Sequence, residues 1–258
     1  MIEVINLYKA FNHHPVLQGL NLTVRKGETM VIIGRSGCGK SVLLKHMIGL
    51  MQPDEGQVIV EGQEISRLTG PEQDRLRLKF GMLFQGAALF DSLTVGENVA
   101  FALQEHTSMK EDQIHARVKE CLELVGLSGI ERMKPAELSG GMRKRVGLAR
   151  ALAIKPEVIL YDEPTTGIDP VMADAINRLI KELHDRLKVT GVAVTHDMVS
   201  AYRIADRIAM LHEGKIIQAG TPEEIRNTAN PVVKNFILGI SDEEEKGVSW
   251  LERAEKSK

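Results

Sequence analysis

A chain of 258 residues, 43% hydrophobic and 26% charged, has the balance of one large globular domain or two modest ones with a real core. Its formal net charge of -2 gives no overall basic surface for nucleic acid, and two cysteines, Cys38 and Cys121, make neither a disulfide framework nor a zinc quartet and suit a reducing compartment. No apolar run reaches the roughly 18 residues of a membrane span, and Glu3 and Asn6 interrupt the N-terminus where a signal peptide needs apolar residues, so a cytosolic chain is expected.

The opening segments "IEVINL" (2–7) and "VLQGLNLTV" (16–24) alternate apolar and polar residues as half-buried strands do. "ETMVIIG" (28–34) reads as a buried strand and "KSVLLKHMIGL" (40–50) as the helix after it. "GQVIVEGQEI" (56–65) predicts a strand pair, and "GMLF" before Gln85 a short apolar strand. From about Leu93 to Leu152 strand signals give way to helical spacing, as in Ile114, Val118, Cys121, Leu122 and Val125 on one face. Strand and helix then alternate again: "EVILYDE" (157–163), a helix from Pro170 to Leu187, "GVAVTH" (191–196), a helix from Met198 to Ala205, and a hairpin turning at Glu213-Gly214. This order predicts a mostly parallel α/β core carrying a helical subdomain at about 93–152. After Ile240 the composition turns to "SDEEEKGVSWLERAEKSK", which reads as a solvated tail in which Trp250 and Leu251 form an apolar pair able to dock elsewhere.

"GRSGCGKS", Gly34 to Ser41, matches GxxxxGK[ST] and stands between a predicted strand and a predicted helix, the context that gives the pattern meaning. Its glycines let backbone N–H groups curl around phosphate oxygens at a helix N-terminus. Lys40 is placed to reach the β- and γ-phosphates and Ser41 to ligate Mg²⁺. Cys38 lies inside this loop, where any small residue serves, and no redox role is expected of it. "VILYDE" ends a buried strand in two acids at the edge where α/β sheets bind ligands. Asp162 suits a water-mediated Mg²⁺ contact, and Glu163 suits a general base for the attacking water. His196 ends another strand of the same sheet. A lone histidine there is commonly structural, but its position puts the γ-phosphate or the water within its reach. Gln85 likewise closes a strand with an amide that could meet Mg²⁺ or the water. The other histidines show no metal-ligand spacing. "LSGGM" (138–142) opens a predicted helix with Ser139 able to cap it. Beyond the cap, a second anion-binding helix start makes sense if it faces a nucleotide held by another subunit.

"GRSGCGKS", "LFQ", "LSGGM", "VILYDE", "TTGID" and "VTHD" occur in the order found in the ATP-binding subunits of ABC transporters, which the chain resembles over about residues 1–240. The resemblance implies a P-loop NTPase core with an antiparallel β subdomain and a helical signature-motif subdomain. It also implies a head-to-tail dimer burying two ATPs, each between the phosphate loop of one copy and Ser139, Gly140 and Gly141 of the other. Gly34, Arg35, Ser36, Gly37, Cys38, Gly39, Lys40, Ser41 and Val42 would hold ATP, with Asp169 in the loop linking the two sites. An aromatic ring after the first strand stacks on adenine in this family; Phe11 is the best match and Tyr8 the second. The segment "GAALFDSL" after Gln85 falls where a membrane permease docks.

"LSGGMRKRVGLARA" and "GMLFQGAALFDSLTVGENVAF" are similar to the ATPases of Mla-type, MCE-linked lipid transporters. Most import-type relatives carry glutamine where this chain has Met142. That likeness implies a peripheral protein on the cytoplasmic side of the bacterial inner membrane, under a permease that moves phospholipid between inner and outer membranes. An MCE-type periplasmic protein and a small STAS-domain protein are the further partners it implies. The alternative is the ATPase of a polar amino-acid or other small-solute importer. Translation-type relatives carry two such units in tandem and repair-type relatives insert long coiled coils, and neither shape fits this chain.

Overall fold

The structure, a computed structural model, describes residues 1–240; Trp250 and Leu251, with the docking expected of them, lie outside the described residues. Strands β1 (Ile2–Phe11) and β2 (His14–Val24) run past their alternating stretches. Asn6 adopts a left-handed backbone (φ 47°) where the β1 register shifts between Ile5 and Tyr8. That bulge re-phases the strand and carries it on to Phe11. β3 (Thr29–Ile33) is buried throughout and leads through the glycine-rich loop into α1 (Lys40–Met47). β4 (Glu55–Val60) and β5 (Gln63–Glu64) turn at Glu61 and Gly62, both at positive φ (50° and 80°).

Helix α2 (Pro71–Arg77) precedes β6 (Phe80–Leu83) and is not foreseen by the pattern, because Leu76 alone among its residues is buried and no apolar stripe forms. Helices α3 (Val95–His106), α4 (Glu111–Leu124) and α5 (Gly140–Leu152) follow the helical spacing. Thr94 and Glu97 form a reciprocal capping box at the start of α3, with Glu97 Oε2 accepting from Thr94 N at 2.6 Å. The remaining elements are β7 (Val158–Asp162), α6 (Pro170–Leu187), β8 (Thr190–Thr195), α7 (Met198–Ile204), β9 (Arg207–His212) and β10 (Lys215–Gly220). Two short helices, α8 (Pro222–Arg226) and α9 (Pro231–Leu238), close the described chain. They span less than three turns each, too short for periodicity to reveal.

One sheet has the order β2-β1-β4-β5 with antiparallel pairing; the other has the order β10-β9-β3-β8-β7-β6, parallel except for β10. The central strands are apolar on both faces, as strands covered on both sides must be. Met30 and Ile32 of β3, with Val158 and Leu160 of β7, face the antiparallel sheet and α1. Val31, Ile33, Ile159 and Tyr161 face a cluster continuous with α3 through α7. The helical segment therefore shares its core with the main sheet. Two glycines bring α5 close to β6. A Cβ at Gly81 would stand 2.4 Å from Ala151 O, and one at Gly147 would stand 2.9 Å from Leu83 Cδ1. This close approach sets α5 beside the ends of β6 and β7.

His46 on α1 is 1% exposed, with Nδ1 2.8 Å from Val42 O and no partner for Nε2. Burial holds its pKa below the ordinary imidazole value. The unfolded chain thus takes up this proton first as pH falls, and stability is lost below about pH 6.5 until the folded histidine also titrates. Between about pH 7.5 and about 5.5, His46→Leu is expected to lose less melting temperature than the wild type, measured by thermal unfolding at each pH. Parallel curves for the two proteins would remove His46 from the acid response.

Candidate active site

Parallel pairing brings four strand ends level. Ile33 pairs with Thr195, Asp162 with Val194, and Leu83 with Tyr161. The residues that follow these ends are Gly34, His196, Glu163 and the pair Phe84-Gln85, so one edge of the sheet collects them. Lys40, Ser41, Gln85, Glu163 and His196 line a cleft of about 310 Å³, together with Ser36, Gly37, Gly39 and Val42 of the loop and its helix. Phe11 and Val16 form its apolar wall. Tyr8, the second aromatic candidate, does not line the cleft; its ring lies over Gly19.

Lys40 is 6% exposed and spans the loop, its Nζ donating to Gly34 O (2.8 Å) and Arg35 O (3.1 Å). The same ammonium lies 3.4 Å from Glu163 Oε1. Gly34 has no room for a side chain, since a Cβ would meet Leu211 O at 2.5 Å, whereas the Cβ position at Gly37 looks into open space. Burial raises the Cys38 thiol pKa, which keeps it a neutral group within the loop.

Glu163 is the hub of the cleft. Its Oε2 lies 2.9 Å from His196 Nδ1 and accepts from Thr166 Oγ1 at 3.2 Å. A carboxylate only accepts, so the hydrogen in the histidine contact is on Nδ1. Glu163 also has a left-handed backbone (φ 48°) with its N–H donating to Val194 O at 3.0 Å. Such a conformation for a non-glycine residue costs about 1–2 kcal/mol and persists only where the surroundings enforce it. Asp162 stands behind, its Oδ1 accepting from Ser41 Oγ at 2.8 Å. These two hard oxygen ligands suit a Mg²⁺ ion that takes its remaining ligands from phosphate and water. Among the described residues no trio of His, Cys, Asp or Glu gathers as a metal site.

Ser139, Gly140, Gly141 and Asp169 do not line this cleft. Ser139 caps α5, its Oγ accepting from Met142 N at 3.2 Å, and a Cβ on Gly141 would meet Met172 Cε at 2.1 Å. Asp169 caps α6, its Oδ1 accepting from Val171 N and Met172 N at 3.0 Å each. The second glycine loop therefore packs against the start of α6 in its own chain, outside the first loop's cleft.

Lys144 is the site residue that sequence reading passed over. It follows the signature within "RKR", is 5% exposed, and its Nζ donates to Gln85 O and to Glu163 O (3.3 Å). Burial lowers its pKa against the opposing pull of Asp162 and Glu163. Arg150, further along α5, donates to Ala87 O (2.8 Å) and Ala88 O (2.6 Å). Helix α5 thus holds both the loop after Gln85 and the backbone of Glu163. Lys144→Met removes the donor and strands two carbonyls, a stability cost of about 1–3 kcal/mol, and the freed Gln85 and Glu163 segments should lower ATP turnover about tenfold, with Lys144→Gln recovering part of it. Steady-state hydrolysis of the three proteins checks this, and equal rates would sink the role.

Loop, carboxylate and histidine at the end of a parallel sheet place the chain among the phosphate-loop nucleoside triphosphatases. The ABC transporter family model matches residues 17–166, and the chain belongs to that family, as an ATPase. It is 41% identical over 242 residues to the intermembrane phospholipid transport system ATP-binding protein MlaF of Haemophilus influenzae, covering 94% of this chain and 92% of that one. Identity to the methionine import ATP-binding protein MetN of Geobacillus kaustophilus is also 41%, over 245 residues, covering 94% and 71%. Among solved structures, the dimeric post-hydrolysis state of the ATP-binding cassette MJ0796, bound to ADP and Pi, matches with a TM-score of 0.79 at 33% identity, covering 86% of this chain and 99% of that one. No helix among the described residues is long and apolar enough to cross a membrane.

Proposed function

We propose that this chain is the ATP-hydrolysing motor subunit of a bacterial transporter that moves phospholipid or a related lipid between the inner and outer membranes. The observation that carries the lipid reading is the match to MlaF, which runs through 92% of that protein's length. Identity alone favours MetN equally, but most import-type relatives carry glutamine at the fifth signature position, and this chain has Met142 packed partly buried against the core. The motor sits on the cytoplasmic face of the inner membrane beneath a permease, with an MCE-type periplasmic protein and a small STAS-domain protein as further partners.

Two copies close head to tail over two ATPs. In each site Phe11 stacks on the adenine, the loop from Gly34 to Ser41 wraps the phosphates, and Lys40 neutralises the β- and γ-oxygens. Mg²⁺ bound near Ser41, Asp162 and Gln85 would supply charge to the transferring phosphoryl group. His196 and Thr166 both engage Oε2 of Glu163, and Oε1 faces Lys40 at 3.4 Å; once Lys40 turns to the phosphates, Oε1 is the oxygen that takes the proton of the attacking water. His196 Nε2 is then the ring nitrogen left to face the γ-phosphate, to which it donates when it too carries a hydrogen. Ser139, Gly140 and Gly141 of the other copy complete the γ-phosphate shell, and Asp169 lies between the two sites. Residues 93–152 act as the arm that passes closure and reopening to the permease, through the loop after Gln85.

The test is recovery of the tagged Glu163→Gln chain from membranes with ATP and Mg²⁺, followed by mass spectrometry of proteins and lipids. An integral permease, an MCE protein and enriched phospholipid are expected. A permease with a soluble-solute binding protein and no lipid enrichment would overturn the substrate and favour the importer reading.

A further inference from the structure

A buried polar junction lies beneath the cleft. Ser200 on α7 is 0% exposed, yet its Oγ has three partners: Asp197 Oδ2 at 2.5 Å, Asn177 Nδ2 at 2.8 Å and Thr165 Oγ1 at 3.1 Å. Only one arrangement of hydrogens satisfies this set. The Asp197 carboxylate accepts, so it takes the single Ser200 proton; the Asn177 amide nitrogen can only donate; the Thr165 hydroxyl must then donate as well. Asn177 Oδ1 has no partner, and Asn177 is 2% exposed, so Ser200 is where that buried amide makes its side-chain hydrogen bond.

The junction joins two chain segments that matter to the cleft. Thr165 lies two residues beyond Glu163, after β7. Asp197 directly follows His196, after β8; its N–H donates to Thr195 Oγ1 (3.0 Å) and its Oδ1 caps α7 through Val199 N (2.9 Å). The two segments are thus tied at the surface by the 2.9 Å contact between Glu163 and His196, and again below it through Ser200. A second tie is what Glu163 requires, because its left-handed backbone (φ 48°) must be held by its surroundings.

We infer that Ser200 is a positioning residue for hydrolysis: by bonding Thr165 and Asp197 together it fixes the separation of the Glu163 carboxylate and the His196 ring. This rests on the reading of Glu163 and His196 as the pair that handles the attacking water and the γ-phosphate. Nothing in the junction touches the cleft itself, so nucleotide affinity should hardly change when it is broken. Hydrolysis should suffer, because displacement of a catalytic group by about 1 Å can cost up to ~10²-fold.

The test uses the full chain and two variants. Ser200→Ala removes the junction; Thr165→Val keeps shape and volume and removes one donor, so it reads the same tie if Ser200→Ala folds poorly. The chain has eight histidines, and ¹⁵N-imidazole spectra with His196→Gln as the assigning control pick out His196. Both variants should move the His196 Nδ1 resonance toward that of a solvated ring and leave the other histidines in place. Turnover at saturating ATP should fall about tenfold while the KM for ATP stays within about twofold. An unmoved His196 resonance, a shift of all histidines together, or a moved resonance with unchanged turnover would each overturn the inference. Failure of the underlying reading is separate, since near-normal turnover in Glu163→Gln would reveal it whatever Ser200 does.

Discussion

Glu163→Gln is expected to bind ATP and to hydrolyse it ~10²–10⁴-fold more slowly, the size of a lost general base. The substitution keeps the length and planarity of the side chain. The carboxylate meets Lys40 from one side and His196 and Thr166 from the other, at 3.4, 2.9 and 3.2 Å. An amide oxygen at the Oε2 position can accept from both His196 and Thr166, but the amide nitrogen then turns a donor toward Lys40. It also removes a negative charge from beside the γ-phosphate, so ATP should be held at least as tightly as by the wild type. Single-turnover hydrolysis and nucleotide retention measured on one preparation separate the two effects. Near-normal turnover would take the general-base role from Glu163, and loss of ATP binding would mean that the carboxylate has a mainly structural task.

The cleft was legible in the sequence because each part of it is local. A phosphate loop is eight contiguous residues, and an apolar run ending in Asp162-Glu163 or in His196 announces a strand that delivers its last side chains to the sheet edge. Parallel order then brings the pieces together without further information. What could not be read is set by contacts between distant segments. Lys144 looks like one more basic residue on a helix surface until α5 is packed on β6, an approach that depends on Gly81 and Gly147. Ala87 and Ala88 both hold left-handed backbones (φ 62° and 48°), against the preference of alanine, and the carbonyls that Arg150 binds are theirs. Ser200 carries no motif, and its three partners come from segments 3, 23 and 35 residues away. Helix α2 was hidden for a simpler reason: a polar helix that buries a single leucine leaves no periodic trace. Signals contiguous in sequence therefore mark the residues that gather in the cleft, while the supports that hold them in place are set by packing.

Lys40→Ala should weaken nucleotide binding at least ~10-fold, and the reason lies in what the ammonium holds as well as in what it would meet. Its two bonds to Gly34 O and Arg35 O close the loop on itself, and its place 3.4 Å from Glu163 gives a carboxylate of 11% side-chain exposure its nearest fixed cation. Charge-assisted hydrogen bonds to phosphate are worth about 1.5–3 kcal/mol each, so losing one or two predicts a ~10- to 10⁴-fold weaker affinity for ATP. Loss of a donor aimed at developing charge lowers the hydrolysis rate by a further ~10²–10³. Removing one member of a buried pair also destabilises the fold, by about 3–5 kcal/mol at full burial, so a lower melting temperature alone would not identify a nucleotide role. The discriminating measurement is the shift that ATP produces. A ligand that binds the native state raises the melting temperature by mass action, so at ATP near the wild type's Kd the wild type should gain stability while Lys40→Ala, from whatever baseline, should gain almost none. A variant that melted earlier yet kept the full ATP-induced rise would make Lys40 a loop staple and leave phosphate binding to the backbone N–H groups of the loop.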